Sequence, residues 1–184
     1  MKLILGFTGQ IASGKGTACD YLIKKYHAGY HRFSTPLFDI LNRIYLPTDR
    51  DHLQKTSSML RETFGQETLA KILSRDVEND KHEIICIDGI RRPQDIQELK
   101  QFDGFVLIHI FADMKKRFNR ITKRNEKVDD QNKTFEEFKQ DHQKEAELLI
   151  QTVGENADVQ IDNNGEIDNL HLALDKIISE YKQS

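Results

Sequence analysis

Leu3-Ile4-Leu5-Gly6-Phe7-Thr8-Gly9-Gln10-Ile11-Ala12-Ser13-Gly14-Lys15-Gly16-Thr17 opens the chain with an apolar run, a glycine-punctuated loop and a lysine. The run Leu3 to Thr8 is too short for a helix. It is apolar on consecutive positions, as a strand covered on both faces requires. Gly9 to Lys15 fits G-x-x-x-x-G-K, and a helical pattern follows to Lys25. Strand, loop and helix form the setting in which this spacing builds a phosphate-binding loop. Gly9 and Gly14 let the backbone turn tightly and approach an anion. Successive N–H groups and the helix N-terminus then face that anion. Lys15 reaches the β- and γ-phosphates as a mobile point charge. Gly16 stands where the strict pattern has Ser or Thr, so the usual magnesium-ligand hydroxyl is missing there and Thr17 follows instead.

Working outward, the same logic predicts strands over Ile84 to Asp88, Phe105 to Phe111, Ala157 to Ile161 and Tyr30 to Phe33. Helical patterns fill the gaps: Pro36 to Tyr45, His52 to Asn79, Pro93 to Lys100, Asp113 to Arg124 and Asn169 to Tyr181. Pro93 suits a first helical turn. Thr134-Phe135-Glu136-Glu137 has capping-box spacing and opens a polar helix to about Val153. Alternating strands and helices predict an α/β fold: one five-stranded parallel sheet flanked by helices, in a single domain spanning 1–184.

The composition sets limits. A chain of 184 residues suits one domain with a sizeable core. Hydrophobic residues at 38% and charged residues at 31% describe a globular chain, and a net charge of -3 argues against a nucleic-acid coat or a membrane surface. No segment approaches the ~20 apolar residues of a membrane span. The N-terminus lacks a signal-peptide core. The expected location is the cytoplasm. Cys19 and Cys86 lack CxxC spacing and read as buried free thiols. Seven histidines show no ligand spacing, and His109, within a strand pattern, reads as a satisfied core histidine.

The G-K-G-T ending resembles the adenylate kinase and nucleoside monophosphate kinase group of P-loop proteins, and three further segments extend the likeness. Ile84-Ile85-Cys86-Ile87-Asp88-Gly89-Ile90-Arg91-Arg92-Pro93 resembles the D-G-[FI]-x-R segment of nucleotide kinases. The resemblance implies that Asp88 holds magnesium, with Thr17 near it, and that Arg91 and Arg92 reach an acceptor phosphate. Arg117, Arg120 and Arg124 share one helical face by their spacing. In the kinase group this helix feeds a lid, here expected at about 120–134 with the polar loop Lys123 to Lys133 as its moving part. Asp162-Asn163-Asn164-Gly165 is similar to the ending of dephospho-coenzyme A kinases and of small nucleotide kinases, where the turn borders the donor base, and so implicates Asn164. The acceptor region is expected at about 34–80. There Ser34, before Pro36, and Arg61, in Arg-x-x-Phe-Gly, loosely resemble acceptor ligands of phage-type deoxynucleoside monophosphate kinases.

Together these features imply Mg2+-dependent transfer of the γ-phosphoryl group of ATP to a nucleoside or deoxynucleoside monophosphate. The expected donor-site residues are Gly9, Ala12, Ser13, Gly14, Lys15, Gly16, Thr17, Arg117 and Asn164. The expected catalytic group is Lys15, Arg120, Arg124 and Asp88. An acceptor phosphate is ionised near neutral pH, so positioning and charge neutralisation suffice without a general base. The expected partners are small-molecule nucleotides, with no nucleic acid and no membrane. Two other readings fit the loop. A dephospho-coenzyme A kinase would need a base near a sugar hydroxyl, for which Asp39 is the candidate. A nucleotide-binding regulatory ATPase would need a group to orient water, and Gln10 lies inside the loop.

Overall fold

Along β1 (Leu3–Thr8) the side chains alternate between two apolar layers, which is why every residue of it is buried. The computed structural model describes residues 2–123, 134–141 and 145–182. Leu3, Leu5 and Phe7 face one layer, while Ile4 faces the other. The other strands are β2 (Gly29–Arg32), β3 (Ile84–Ile90), β4 (Phe105–Phe111) and β5 (Val159–Asp162). All pair in parallel, in the order β2-β3-β1-β4-β5. The α/β fold with a five-stranded parallel sheet is the one the alternating pattern predicts.

Helix α1 (Lys15–Tyr26) and the last helix, α9 (Ile167–Tyr181), cover one face of the sheet. Their Ala18, Cys19, Leu22, Leu170, Leu174, Ile177 and Ile178 close over Leu5, Phe7, Ile108 and Ile110. The opposite face is covered from α2 (Thr35–Arg43), α3 (Arg50–Phe64), α4 (Thr68–Asn79), α5 (Pro93–Gln97) and α8 (Glu145–Glu155). Each contributes to a second core around Ile4, Ile85 and Ile87. Between β4 and α8 lie α6 (Met114–Lys123) and α7 (Phe135–Asp141). The capping box at the start of α7 is formed: Glu137 Oε2 accepts from Thr134 N and Oγ1, and Glu137 N donates to Thr134 Oγ1.

Strand order reverses at β1, which has β3 on one side and β4 on the other. In a parallel sheet a crevice opens at that point beyond the carboxyl ends of the strands. The loop after Thr8 lies there. Next to it, Phe7 pairs with Asp88 but Thr8 pairs with Ile90, so the ladder slips by one residue at Gly89, whose φ is 90°. Thr8 Oγ1 donates to Ile90 O at 3.0 Å and fastens the bulge.

Two expectations change. The helical stretch His52 to Asn79 is interrupted between α3 and α4. Gly65, at φ 107°, donates its N–H to Arg61 O, and its carbonyl accepts from Thr68 N and Oγ1. A residue other than glycine strains that backbone, and the chain starts a new helix in a new direction. The stretch Pro93 to Lys100 stops being an α-helix at Gln97 and continues as a 3-10 turn, Leu99–Gln101. Cys19 and Cys86 are free and buried. No helix among the described residues is long and apolar enough to cross a membrane.

Candidate functional site

Three residues of the loop between β1 and α1 adopt positive φ: Gly9 at 144°, Ala12 at 59° and Gly14 at 115°. This winding turns the backbone back on itself ahead of the α1 N-terminus, the geometry in which consecutive N–H groups converge on an anion. Lys15 Nζ donates to Gly9 O at 2.6 Å and Gln10 O at 3.1 Å, so its ammonium lies across the mouth of the loop. Ser13 is fully buried and its Oγ has no hydrogen-bond partner among the described residues. Gly16 and Thr17 are exposed, and a Cβ on Gly16 would meet nothing within 4 Å.

The turn after β5 is bolted to this loop. Asn163 is 6% exposed, and its Nδ2 donates to Ser13 O at 2.8 Å. The contact is so close that a Cβ on Gly14 would overlap the same Nδ2, which gives Gly14 a packing role beside its φ. Asn163 O accepts from Arg120 Nη2 at 2.7 Å, and Asn163 N donates to Phe111 O at 2.8 Å. Asn164 holds the start of α6: its Oδ1 accepts from Asp113 N at 2.9 Å, and its carbonyl accepts from Lys116 Nζ. Arg117 is 3% exposed. Its Nε donates to Ala112 O at 2.9 Å, one Nη donates to Ile11 O at 3.3 Å, and the guanidinium lies 5.7 Å from the Phe138 ring centroid. The α6 arginines thus converge on the phosphate loop and the β5 turn. Among the described residues, Arg120 keeps one buried Nη without a partner. Arg124 and the rest of the expected lid through residue 133 lie outside the described residues.

At the end of β3, Asp88 offers a carboxylate with one oxygen, Oδ1, buried and unpartnered among the described residues. Its other oxygen accepts from Tyr30 OH at 3.3 Å. Burial first, and the Asp88 charge second, push the Tyr30 phenol well above its ordinary range, so it stays a donor. An unsatisfied buried carboxylate oxygen fits a hard cation, whose ligands are oxygens.

On the other side of the bulge, Arg61 does not stand open to the crevice. It is 6% exposed, and its Nη2 donates to Asp95 Oδ1 at 2.8 Å while Nη1 donates to Gln66 O. Asp95 Oδ2 accepts the N–H groups of Arg91 at 3.0 Å and Arg92 at 3.1 Å. This buried pair therefore fixes the backbone of the double-arginine turn. Arg91 itself is exposed and Arg92 half-buried. Ser34 precedes α2, and its Oγ is buried without a partner.

A family profile described as an AAA domain matches residues 8–139, from the end of β1 into α7. The chain belongs to this AAA-domain family. A UPF0200 protein of Methanosarcina acetivorans is 24% identical over 100% of this chain and 98% of its own length. One from Methanothermobacter thermautotrophicus is 32% identical over 61% of this chain, and the match spans 58% of that relative's length. Among solved structures, a shikimate kinase from Bacteroides thetaiotaomicron superposes with a TM-score of 0.64 at 11% identity, covering 98% of each chain. TT1252 from Thermus thermophilus superposes with a TM-score of 0.61 at 15% identity, covering 97% of each. This AAA-domain protein therefore has the P-loop kinase fold.

In this family member, three residues of the site escape a reading of the sequence. Asn163, rather than its neighbour Asn164, touches the phosphate loop. The two are identical in type, and only the direction of the turn distinguishes them. Tyr30 sits on an edge strand and looks like an ordinary β-former. Asp95 looks like a first-turn helix acid. His109 also departs from expectation: it is half-buried rather than satisfied, and its Nδ1 is sealed from solvent without a hydrogen bond. The ring lies against Gly154 of α8.

Proposed function

We propose that this protein is a P-loop phosphotransferase that moves the γ-phosphoryl group of ATP, with Mg2+, to a nucleoside or deoxynucleoside monophosphate. The observation that carries the reading is the convergence, at one switch point, of the wound loop with Lys15, the unpartnered Asp88 oxygen and the Arg91–Arg92 turn. In this reading the N–H groups from Gly9 to Thr17 cradle the donor phosphates, and Lys15 leaves its two loop carbonyls for the β- and γ-oxygens. Arg117 and Arg120 brace the donor side through Ile11 and Asn163, and Asn164 shapes the border of the donor base. Asp88 and Thr17 hold Mg2+, which supplies charge neutralisation on the phosphates. Arg91 or Arg92, held by Asp95 and Arg61, meets the acceptor phosphate with Ser34 beside it. The acceptor region is α2 to α4, and Arg124 belongs to the lid. Catalysis is positioning and electrostatic neutralisation.

On the acceptor side the adjacent cations Arg91 and Arg92 suit a phosphate-bearing substrate. A hydroxyl acceptor needs a base, and Asp39 is an exposed residue of α2. The test is ADP release from ATP and Mg2+ against a panel of ribo- and deoxyribonucleoside monophosphates and dephospho-coenzyme A, with Lys15→Ala as control. A rate that depends on one nucleotide and is lost in the variant is expected. A rate with dephospho-coenzyme A alone replaces the acceptor class, and slow hydrolysis indifferent to every acceptor overturns the reading.

A further inference from the structure

His109 pairs across the ladder with Thr8, the residue before Gly9. A Cβ on Gly9 would overlap Ile110 O, so the backbone after His109 also packs on the first residue of the loop. Val106, Ile108 and Ile110 join the core beneath α1 and α9. By alternation His109 therefore projects from the opposite face, beside the loop and away from α1.

Helix α8 makes room for the ring. A Cβ on Gly154 would lie 2.6 Å from His109 Nδ1 and 2.7 Å from both Cγ and Cε1. Near-equal distances to three ring atoms mean that the glycine Cα faces the plane of the imidazole. Glycine within a helix costs about 1 kcal/mol against alanine, yet any side chain here would displace the ring.

The packing also selects a tautomer. A neutral imidazole carries one N–H, on either nitrogen. Among the described residues Nδ1 is buried with no partner, and, as for backbone groups, a buried orphan N–H is rarer than an under-satisfied acceptor. The proton therefore sits on Nε2. The charges acting on the ring are Lys15 from the loop side and Glu155 from α8. Burial first, then Lys15, hold its pKa below the ordinary histidine value, with Glu155 opposing, so the ring is neutral at neutral pH. Lys15 marks the β/γ end of a triphosphate on such a loop.

We propose that His109 is a phosphoryl-binding residue of the site, its Nε2–H donating to an oxygen of the phosphoryl group at the Lys15 end of the loop. The inference rests on the phosphotransferase reading above and deepens it. Two phosphoryl groups reach that end: the terminal one of the donor and that of the acceptor. The same tautomer excludes His109 as a general base, because a basic Nε2 would leave the N–H on buried Nδ1.

The test compares wild type with His109→Ala, His109→Gln and His109→Asn. The glutamine amide reaches the Nε2 position and the asparagine amide only the Nδ1 position. Calorimetric titrations use Mg2+ with ADP and with β,γ-imido-ATP, followed by the KM of whichever nucleotide acceptor the panel above identifies. His109→Ala is expected to weaken the imido analogue about tenfold, the scale of one charge-assisted hydrogen bond, while ADP binding holds and glutamine, not asparagine, restores affinity. That result names the donor's terminal phosphoryl. An acceptor KM raised by the same factor, with nucleotide binding unchanged and the same rescue, names the acceptor phosphate. Equal losses for ADP and the analogue, no change in any constant, or equal behaviour of the glutamine and asparagine variants would overturn the proposal. Should the alanine variant not fold, the imidazole 15N spectrum of the wild type decides: a proton on Nδ1 refutes the assignment. Failure of wild type to bind either nucleotide in a Lys15-dependent manner sinks the phosphotransferase reading and this inference together. Lys15-dependent binding with no His109 effect sinks the inference alone.

Discussion

Replacing Asp95 by alanine removes the acceptor for three donors at once. The carboxylate is 2% exposed and takes Arg61 Nη2 at 2.8 Å, Arg91 N at 3.0 Å and Arg92 N at 3.1 Å. Arg61 is itself 6% exposed and among the described residues its Nε has no partner, so without Asp95 its charge is left buried with the Gln66 carbonyl as its remaining hydrogen-bond partner there. Breaking a buried pair by deleting one partner costs roughly 3–5 kcal/mol. A domain has on the order of 5–15 kcal/mol in total, so Asp95→Ala should be close to the limit of folding. Arg61→Met combined with Asp95→Ala removes the stranded charge, and the Arg91 and Arg92 N–H groups can turn to water. The double variant should therefore regain about half of the loss or more. Urea unfolding followed by circular dichroism measures all four corners of the cycle. An Asp95→Ala loss below about 1 kcal/mol, or a double variant as unstable as the sum of the singles, would refute the argument that the pair is a buried, coupled unit.

Gly14→Ala forces a Cβ into Asn163 Nδ2 at φ 115°, and should cost about 1–3 kcal/mol. Gly16→Ala, whose Cβ meets nothing within 4 Å, should change unfolding by no more than about 0.5 kcal/mol. Equal losses in a thermal melt would remove the packing role of Gly14. Tyr30→Phe takes away the donor that orients Asp88, so the Mg2+ concentration for half-maximal rate should rise several-fold with the fold intact. An unchanged magnesium curve contradicts that role. Acid sensitivity should centre on Asp80. Burial alone would raise its pKa, but the His82 N–H and the His82 and His31 rings outweigh it and hold the carboxyl at about 2, below an ordinary 3.8. A depressed carboxylate contributes stability that is present above the unfolded pKa and lost as pH falls through the folded one, here about 2 kcal/mol. The stability difference between wild type and Asp80→Asn should therefore hold at pH 5 and shrink from about pH 4 towards 2. A difference independent of pH would show that the carboxylate charge does not matter.

The central strands were legible because they are largely buried on both faces and therefore read as consecutive apolar residues, as in Leu3 to Thr8 and Phe105 to Phe111. The loop was legible because its spacing and its lysine are dictated by phosphate geometry. What escaped depends on direction rather than composition. Gly65 inside a helical pattern signals only a weak helix former; that it ends the helix and leaves the Gln66 carbonyl to Arg61 is a tertiary outcome. Arg61 was sought as a ligand because arginine beside a crevice suits phosphate. The sequence does not reveal that Asp95, thirty-four residues on, meets it first. Asn163 and Asn164 differ only in which way the turn carries them. His109 has the neighbours of a core residue, and the room for its ring comes from a glycine in a helix forty-five residues later, which no local pattern reports.

The central claim is that the loop delivers a phosphoryl group to a nucleotide rather than to water. The direct measurement is the fate of the label after a single turnover of γ-32P-ATP with Mg2+ and each nucleoside monophosphate, in wild type and Lys15→Ala. The account predicts label in a nucleoside diphosphate for at least one acceptor, and none from the variant. Label appearing only as inorganic phosphate, at a rate no acceptor alters, would contradict it and leave a nucleotide-driven binding protein.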